Sequence, residues 1–335
     1  MGYNDDATLA LRLCGAVCLI RSCMYTIYPD TLTSIIGYPP APAAAGGWGK
    51  KASIGPSEDD VQSVMVCVQF YGLVQGGLAG VCLATARIGH EYTMSVVSTV
   101  LGALFLALVA FATSMIGTEG LEYVSAGDVN KVIAPLALLA AYMLYVGVSG
   151  VRKGAPAGEP IGQSGRMMAV VSVLGFLQAL VPIFFVEKHF ATYGMAIAPP
   201  SSEGTAKLMI TMWGMCIAAG SIARLGVIYA GHTDSIYANC RAFVIYMCEM
   251  WGVMVMVSVS RAFDPNPHPK SNRKSNPNPR PNPNANQLKS LGKADDKAMG
   301  TMCLVITFYT FLLYFGGTIA DDSAAATSVK GKKKK

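Results

Sequence analysis

Eight hydrophobic stretches, each about as long as a bilayer is thick, constrain this 335-residue chain more than any other feature. A helix crossing the hydrocarbon core needs roughly 17–25 mostly apolar residues at 1.5 Å rise each. Segments of that kind occupy 7–28, 61–86, 92–112, 132–150, 167–186, 208–230, 240–259 and 299–319. Strands are excluded as spans: an open sheet leaves its backbone unsatisfied in lipid, and the ten-residue alternation of a barrel is absent. The expected fold is all-α, a polytopic membrane protein of eight transmembrane helices. Composition agrees with it. Charged residues make up 14% of the chain, whereas a soluble domain carries about 25% to face water.

The net charge of +6 is unevenly placed. Most of the excess lies in an Asn/Pro-rich segment, 264–297, and in the last six residues, so it describes extramembrane segments and not a nucleic-acid-binding face. The Asn-Pro alternation cannot sustain a backbone hydrogen-bond ladder or bury a core, and a disordered loop is expected there. The basic tail, 321–335, ends in KGKKKK. Lys332 and Lys333 stand where a dilysine retrieval signal of endoplasmic-reticulum membrane proteins would stand. The run Lys332–Lys335 reads equally as a polybasic patch drawn to anionic lipid. Organelle and orientation stay open. With the long loop set aside, the Lys/Arg bias places both ends of the chain on the cytoplasmic side or its organellar equivalent.

Two 20-residue stretches resemble one another, YGLVQGGLAGVCLATARIGH from Tyr71 to His90 and WGMCIAAGSIARLGVIYAGH from Trp213 to His232. Each opens aromatic-Gly and closes Gly-His. Span 4 ends Tyr145-Val146-Gly147 and span 8 contains Tyr314-Phe315-Gly316; the exits of spans 1 and 5 also correspond. Similar features in the same order predict two four-helix repeats, 1–150 and 151–320. Four spans return the chain to its starting side, so the repeats would be parallel, about an axis along the membrane normal. The order helix, acidic or Pro exit, Gly, then aromatic-Gly opening a Gly-rich second helix resembles DoxX-like small four-helix membrane proteins, here twice over. The fused second copy and the Asn-Pro loop depart from that pattern. The resemblance implies a bundle and no activity, and it carries over no functional residue.

Glu249 is the principal candidate for chemistry, because it falls near the middle of span 7 and an ionised carboxylate at that depth must be paired, protonated or wet. Arg224 in span 6 and Arg21 in span 1 lie at depths that make them candidate counter-charges. The trio reads as an ion- or proton-responsive site or as an ion pair that fixes helix packing. Gly72, Gly76 and Gly80 form a small-residue row suited to close helix packing; Gly214 and Ala218 continue it in the second repeat. His90 and His232 occupy matched turns, as candidate proton relays or helix caps. Gln69, Gln75 and Gln178 need partners inside the bundle. No cofactor is indicated, and no Cys/His grouping has metal-ligand spacing.

A membrane enzyme would need a clustered nucleophile, acid, base or metal, and none is legible. The expected function is therefore non-enzymatic. The leading reading is a transporter or channel for a small solute or ion with an intramembrane acidic site. The alternative is a structural or assembly subunit that binds membrane-protein partners.

Overall fold

The computed structural model describes residues 3–35, 58–116, 126–192, 200–262 and 296–319. The Asn/Pro-rich loop but for its last two residues, and the whole basic tail, lie outside them. The described residues are helical almost throughout. In chain order the helices are α1 (Tyr3–Ile27), α2 (Asp30–Ile35), α3 (Glu58–Ile88), α4 (Glu91–Met115), α5 (Ala126–Val151), α6 (Gln163–Phe184), α7 (Val186–Thr192), α8 (Pro200–Ala230), α9 (Thr233–Ala262) and α10 (Asp296–Leu313). A π-helical turn, Tyr314–Ile319, extends α10. Every stretch expected to span is helical. Among the described residues six helices (α1, α3, α4, α5, α6 and α8) are long and apolar enough to cross a membrane. The chain is thus a multi-span, all-α membrane bundle. α9 carries Asn239, Arg241 and Glu249 along an otherwise largely apolar run.

Burial decides which helices are central. In its most apolar window α3 is 89% buried and α8 72%, against 28% for α5 and 33% for α6. α3 and α8, each 31 residues long, pack against one another at the core. α1 lies on α3 and α6 lies on α8. The next helices cross over: α4 follows α3 in sequence yet packs far more on α8 than on α3, and α9 follows α8 yet packs mainly on α3. α5 then closes on α4, and α10 on α9.

Glycine permits these contacts. Between helices in lipid there is no hydrophobic drive, so association depends on how closely backbones approach. A Cβ on Gly72 would sit 2.8 Å from Tyr25 Cβ and 2.9 Å from the Thr26 nitrogen of α1. A Cβ on Gly214 would sit 2.7 Å from Pro182 Cγ and 3.1 Å from the Ala179 oxygen of α6. Each glycine admits a neighbouring helix to close contact. In the α4–α5 pair, Gly102 stands so close to α5 that a Cβ would come within 2.6 Å of the Leu144 nitrogen, while one on Gly147 would strike the Thr99 backbone of α4. Gly76 faces Ser22 of α1 and Glu249 of α9; Gly80 has only ordinary contact with Ala242, at 3.7 Å. Ala218 is buried in α8. The row is therefore not uniform, and its members should respond differently to a methyl group.

Gly72→Ala and Gly214→Ala should each destabilise the bundle by about 1–3 kcal/mol through overpacking. Gly80→Ala should be neutral or stabilising by up to about 1 kcal/mol, because it removes a glycine from a helix interior with room to spare. Thermal unfolding in mild detergent checks the ranking; equal losses at all three positions would contradict the packing described.

Candidate functional site

One cavity stands out, between α6, α8, α9 and α10 and closed on its inner side by α3. The void at its heart measures about 100 Å³, and the free space up to and including its mouth about 770 Å³. Roughly 10–15 Å³ of such inner space admits one water, so several fit. Its wall is mainly apolar and aromatic, with Leu78, Trp213, Phe243, Tyr246 and Met247 among the lining residues. The polar groups are few: Arg224, Ser221, Gln178 and Tyr309. The Tyr309 hydroxyl donates to Gln178 Oε1 at 3.4 Å across the α6–α10 side.

Arg224 gives the cavity its charge. Its residue is only 5% exposed. The side chain folds back along α8 over Gly220, where a Cβ would stand 3.3 Å from Arg224 Nη1. Glycine four residues earlier thus makes room for the guanidinium. The Phe243 ring of α9 covers one face, with Arg224 Cζ 3.6 Å from the ring centroid, in cation–π geometry. Nη2 donates to the Gly77 carbonyl of α3 over a long 3.4 Å, and Nε is buried with no hydrogen-bond partner. No acidic side chain is among the residues lining this cavity.

A second space, beside Arg21, is nearly closed, at about 10 Å³. It is lined by Arg21, Cys14 and Cys18 of α1, Tyr71 and Gln75 of α3, residues of α4 and α5, and Cys216 of α8. Gln75 Nε2 donates to the Cys216 sulfur at 3.4 Å, so the two spaces share a wall at α3 and α8. Gln69 is fully buried and donates to the Thr26 carbonyl at 3.1 Å. All three intramembrane glutamines thus find partners within the bundle.

The three charged residues singled out in the sequence are not gathered into one site. Arg21 and Arg224 line different spaces. Glu249 is exposed on α9, with its Oε2 3.4 Å from the Cβ position of Gly76. Among the described residues Glu249 makes no ion pair with either arginine; the ion pair found there is Lys207–Glu187, at 3.0 Å on the surface. Nor do the described residues contain a grouping of three His, Cys, Asp or Glu side chains able to hold a metal.

His90 and His232 do meet. Their rings stack with centroids 4.1 Å apart and planes within 3°. Each follows a glycine of positive φ, Gly89 at +73° and Gly231 at +65°, a conformation that costs other residues energy and lets α3 and α8 end sharply. Each imidazole also opens the next helix. His90 Nδ1 accepts from the Thr93 N–H at 3.4 Å and lies 2.8 Å from its hydroxyl. His232 Nδ1 accepts from the Ser235 N–H at 3.3 Å and lies 2.9 Å from its hydroxyl. Glu159, from the segment joining α5 to α6, accepts from the Thr233 N–H at 2.6 Å. That bond holds its carboxyl below the usual range. Burial, and then the neighbouring His232 ring, depress the pKa of His90.

His189 was not anticipated. It lies in α7, is 4% exposed and sits 5.1 Å from the Trp213 ring. Burial holds its imidazole down to about 4, so it is neutral. A polar residue in a short helix after span 5 carries no periodic signal, and only the fold shows that α7 turns it inward.

No family model, curated protein or solved structure matches the chain. The functional reading therefore rests on the geometry above.

His90 has a folded pKa below its unfolded value of 6.5. The unfolded chain then binds more protons between those values, and stability falls as pH drops from above 6.5 through that window. His90→Asn keeps a good helix cap and removes the titration. Thermal unfolding between neutral and mildly acidic pH should show a loss in the parent that is shallower in His90→Asn. Identical slopes would contradict the lowered pKa of His90.

Proposed function

We propose that the chain is a non-enzymatic integral membrane protein that carries a small solute or ion, and that the cavity beside Arg224 is its solute site. The observation that carries this reading is an enclosed, partly open space inside the bundle with one buried charge aimed into it. Small-ligand sites are of this type, mostly apolar with a few placed polar groups. An intramembrane charge facing such a space commonly marks a solute pathway.

The same reading takes α9 and α10, with its π-helical continuation, as spans seven and eight. Two parallel four-helix halves then follow, each with the helix order of DoxX-like bundles. Support comes from the equal lengths of α3 and α8 and from Gly72 and Gly214 at like contacts. The reciprocal crossing of α4 and α9, and the stacked turns at His90 and His232, add to it. The halves differ in their interiors, open at Arg224 and nearly filled at Arg21. In this reading Glu249 is a proton-responsive group on α9, one turn from the cavity-lining Tyr246, and not the solute ligand itself. The basic tail, Lys332–Lys335, would hold anionic lipid or serve as an endoplasmic-reticulum retrieval signal.

A carrier must expose its solute site to each side in turn; an assembly subunit need not. Ser221→Cys, in a background with the nine native cysteines replaced, places a reporter in the cavity wall. In sealed vesicles a membrane-impermeant thiol reagent should label it from both faces. Labelling from neither face would favour the assembly subunit. Glu249→Gln should lower proton-coupled flux without reducing the yield of folded protein.

A further inference from the structure

We infer that the cavity beside Arg224 binds an apolar-bodied organic monocarboxylate, with its carboxylate on the Arg224 fork and its carbon chain among the apolar residues of α6, α9 and α10. The inference rests on reading this cavity as the solute site, and it assigns that site a ligand class.

The argument starts from the buried cation. A guanidinium does not lose its proton in proteins, so burial cannot neutralise Arg224 as it would a lysine. A buried charge requires a counter-charge or a set of hydrogen bonds. Arg224 has Phe243 over one face and one long bond from Nη2 to Gly77 O, and its Nε has no partner. Among the described residues no carboxylate lines the space into which it points. The missing element is an external acceptor. A carboxylate suits it, because the planar guanidinium offers parallel donors that match two carboxylate oxygens.

The rest of the wall decides what the carboxylate is attached to. Val171, Ile217, Met247, Met250 and Ile306 surround the charge with apolar surface. A free inorganic anion would find one cation and little else to replace its water shell. A dianion would leave a net negative charge buried. A monoanion with an apolar body leaves a neutral pair at Arg224 and removes its own chain from water, at roughly 0.8 kcal/mol per buried CH₂. Ser221, with its hydroxyl near Gly175, adds a second donor on the same side of α8 as Gly214 and Ile217. Met247 and Met250, unbranched and adaptable, suit a flexible chain of variable length.

Octanoate is a suitable probe, and the full chain in phosphatidylcholine nanodiscs a suitable preparation. Equilibrium binding of radiolabelled octanoate should be saturable at one site per chain, and hexanoate and decanoate should displace it. Octanol, which lacks the charge, should compete at least about tenfold more weakly, the loss expected for a charge-assisted bidentate contact. Inorganic phosphate and octylamine should not compete. Arg224→Gln should weaken octanoate by about tenfold or more and leave octanol unchanged. Should that variant fail to fold, the octanoate–octanol comparison on the unmodified chain stands alone. Octanol binding as tightly as octanoate would overturn the proposal, as would phosphate displacing octanoate. Displacement of bound octanoate on adding phosphatidylglycerol to the nanodiscs would overturn it in favour of a lipid phosphodiester. Saturable octanoate binding with Ser221→Cys sealed from both faces keeps the ligand class and removes transport. Access from both faces without octanoate binding keeps the solute site and removes the ligand class.

Discussion

Close backbone approach around two central helices is the constraint on which the rest of this molecule depends. In water a helix buries its apolar stripe and is held by that burial. In lipid the surroundings are as apolar as the interior, and helices associate through packing and hydrogen bonds instead. α3 and α8 meet that requirement with glycine. Gly72 and Gly214 admit α1 and α6 to within contact of their backbones, and Gly102 and Gly147 do the same for α4 and α5. The crossing of α4 onto α8 and of α9 onto α3 then ties the two halves of the chain together. Separating them would require unpacking four helices, not one interface.

The same arrangement isolates a charge. Around Arg21, side chains of α1, α3, α4 and α5 fill the available space almost completely. Around Arg224 they do not, partly because Gly175, Gly77 and Gly220 contribute no side chain to the wall. The guanidinium lies over Gly220, is screened by Phe243 and is left with an unused nitrogen. An empty apolar cavity is tolerable in a protein interior; a cation beside one with a nitrogen left unbonded is costly. The cost is intelligible if the charge completes its bonding with something the described residues do not supply.

Much of the architecture was legible in the sequence, for a physical reason. Hydropathy over about twenty residues is a strong signal, and all eight stretches are helical. The matched Gly-His turns were visible as a pattern, yet nothing in the pattern said that the two imidazoles touch. Depth could be read by counting residues, and Glu249 and Arg224 were placed by that means. Direction around the helix axis could not. An intramembrane helix that is apolar nearly all round offers no polar face to set its rotation. Counting therefore suggested a pair, whereas the fold turns Arg224 inward toward α3 and leaves Glu249 on the outside of α9 beside Gly76. The aromatic cover from Phe243 and the glycine beneath the guanidinium become meaningful only after that rotation is known.

Joining of the two halves at the stacked turns can be tried directly in native membranes. With the nine native cysteines replaced, His90→Cys together with His232→Cys places two thiols where rings now stand 4.1 Å apart. Mild oxidation, followed by protease cleavage in the segment between α5 and α6, should leave the α3–α4 and α8–α9 fragments covalently linked within one chain. Fragments that separate under the same oxidation, or that link only between chains, would mean that the turns do not meet, and the crossed arrangement that encloses the Arg224 cavity would fall with them.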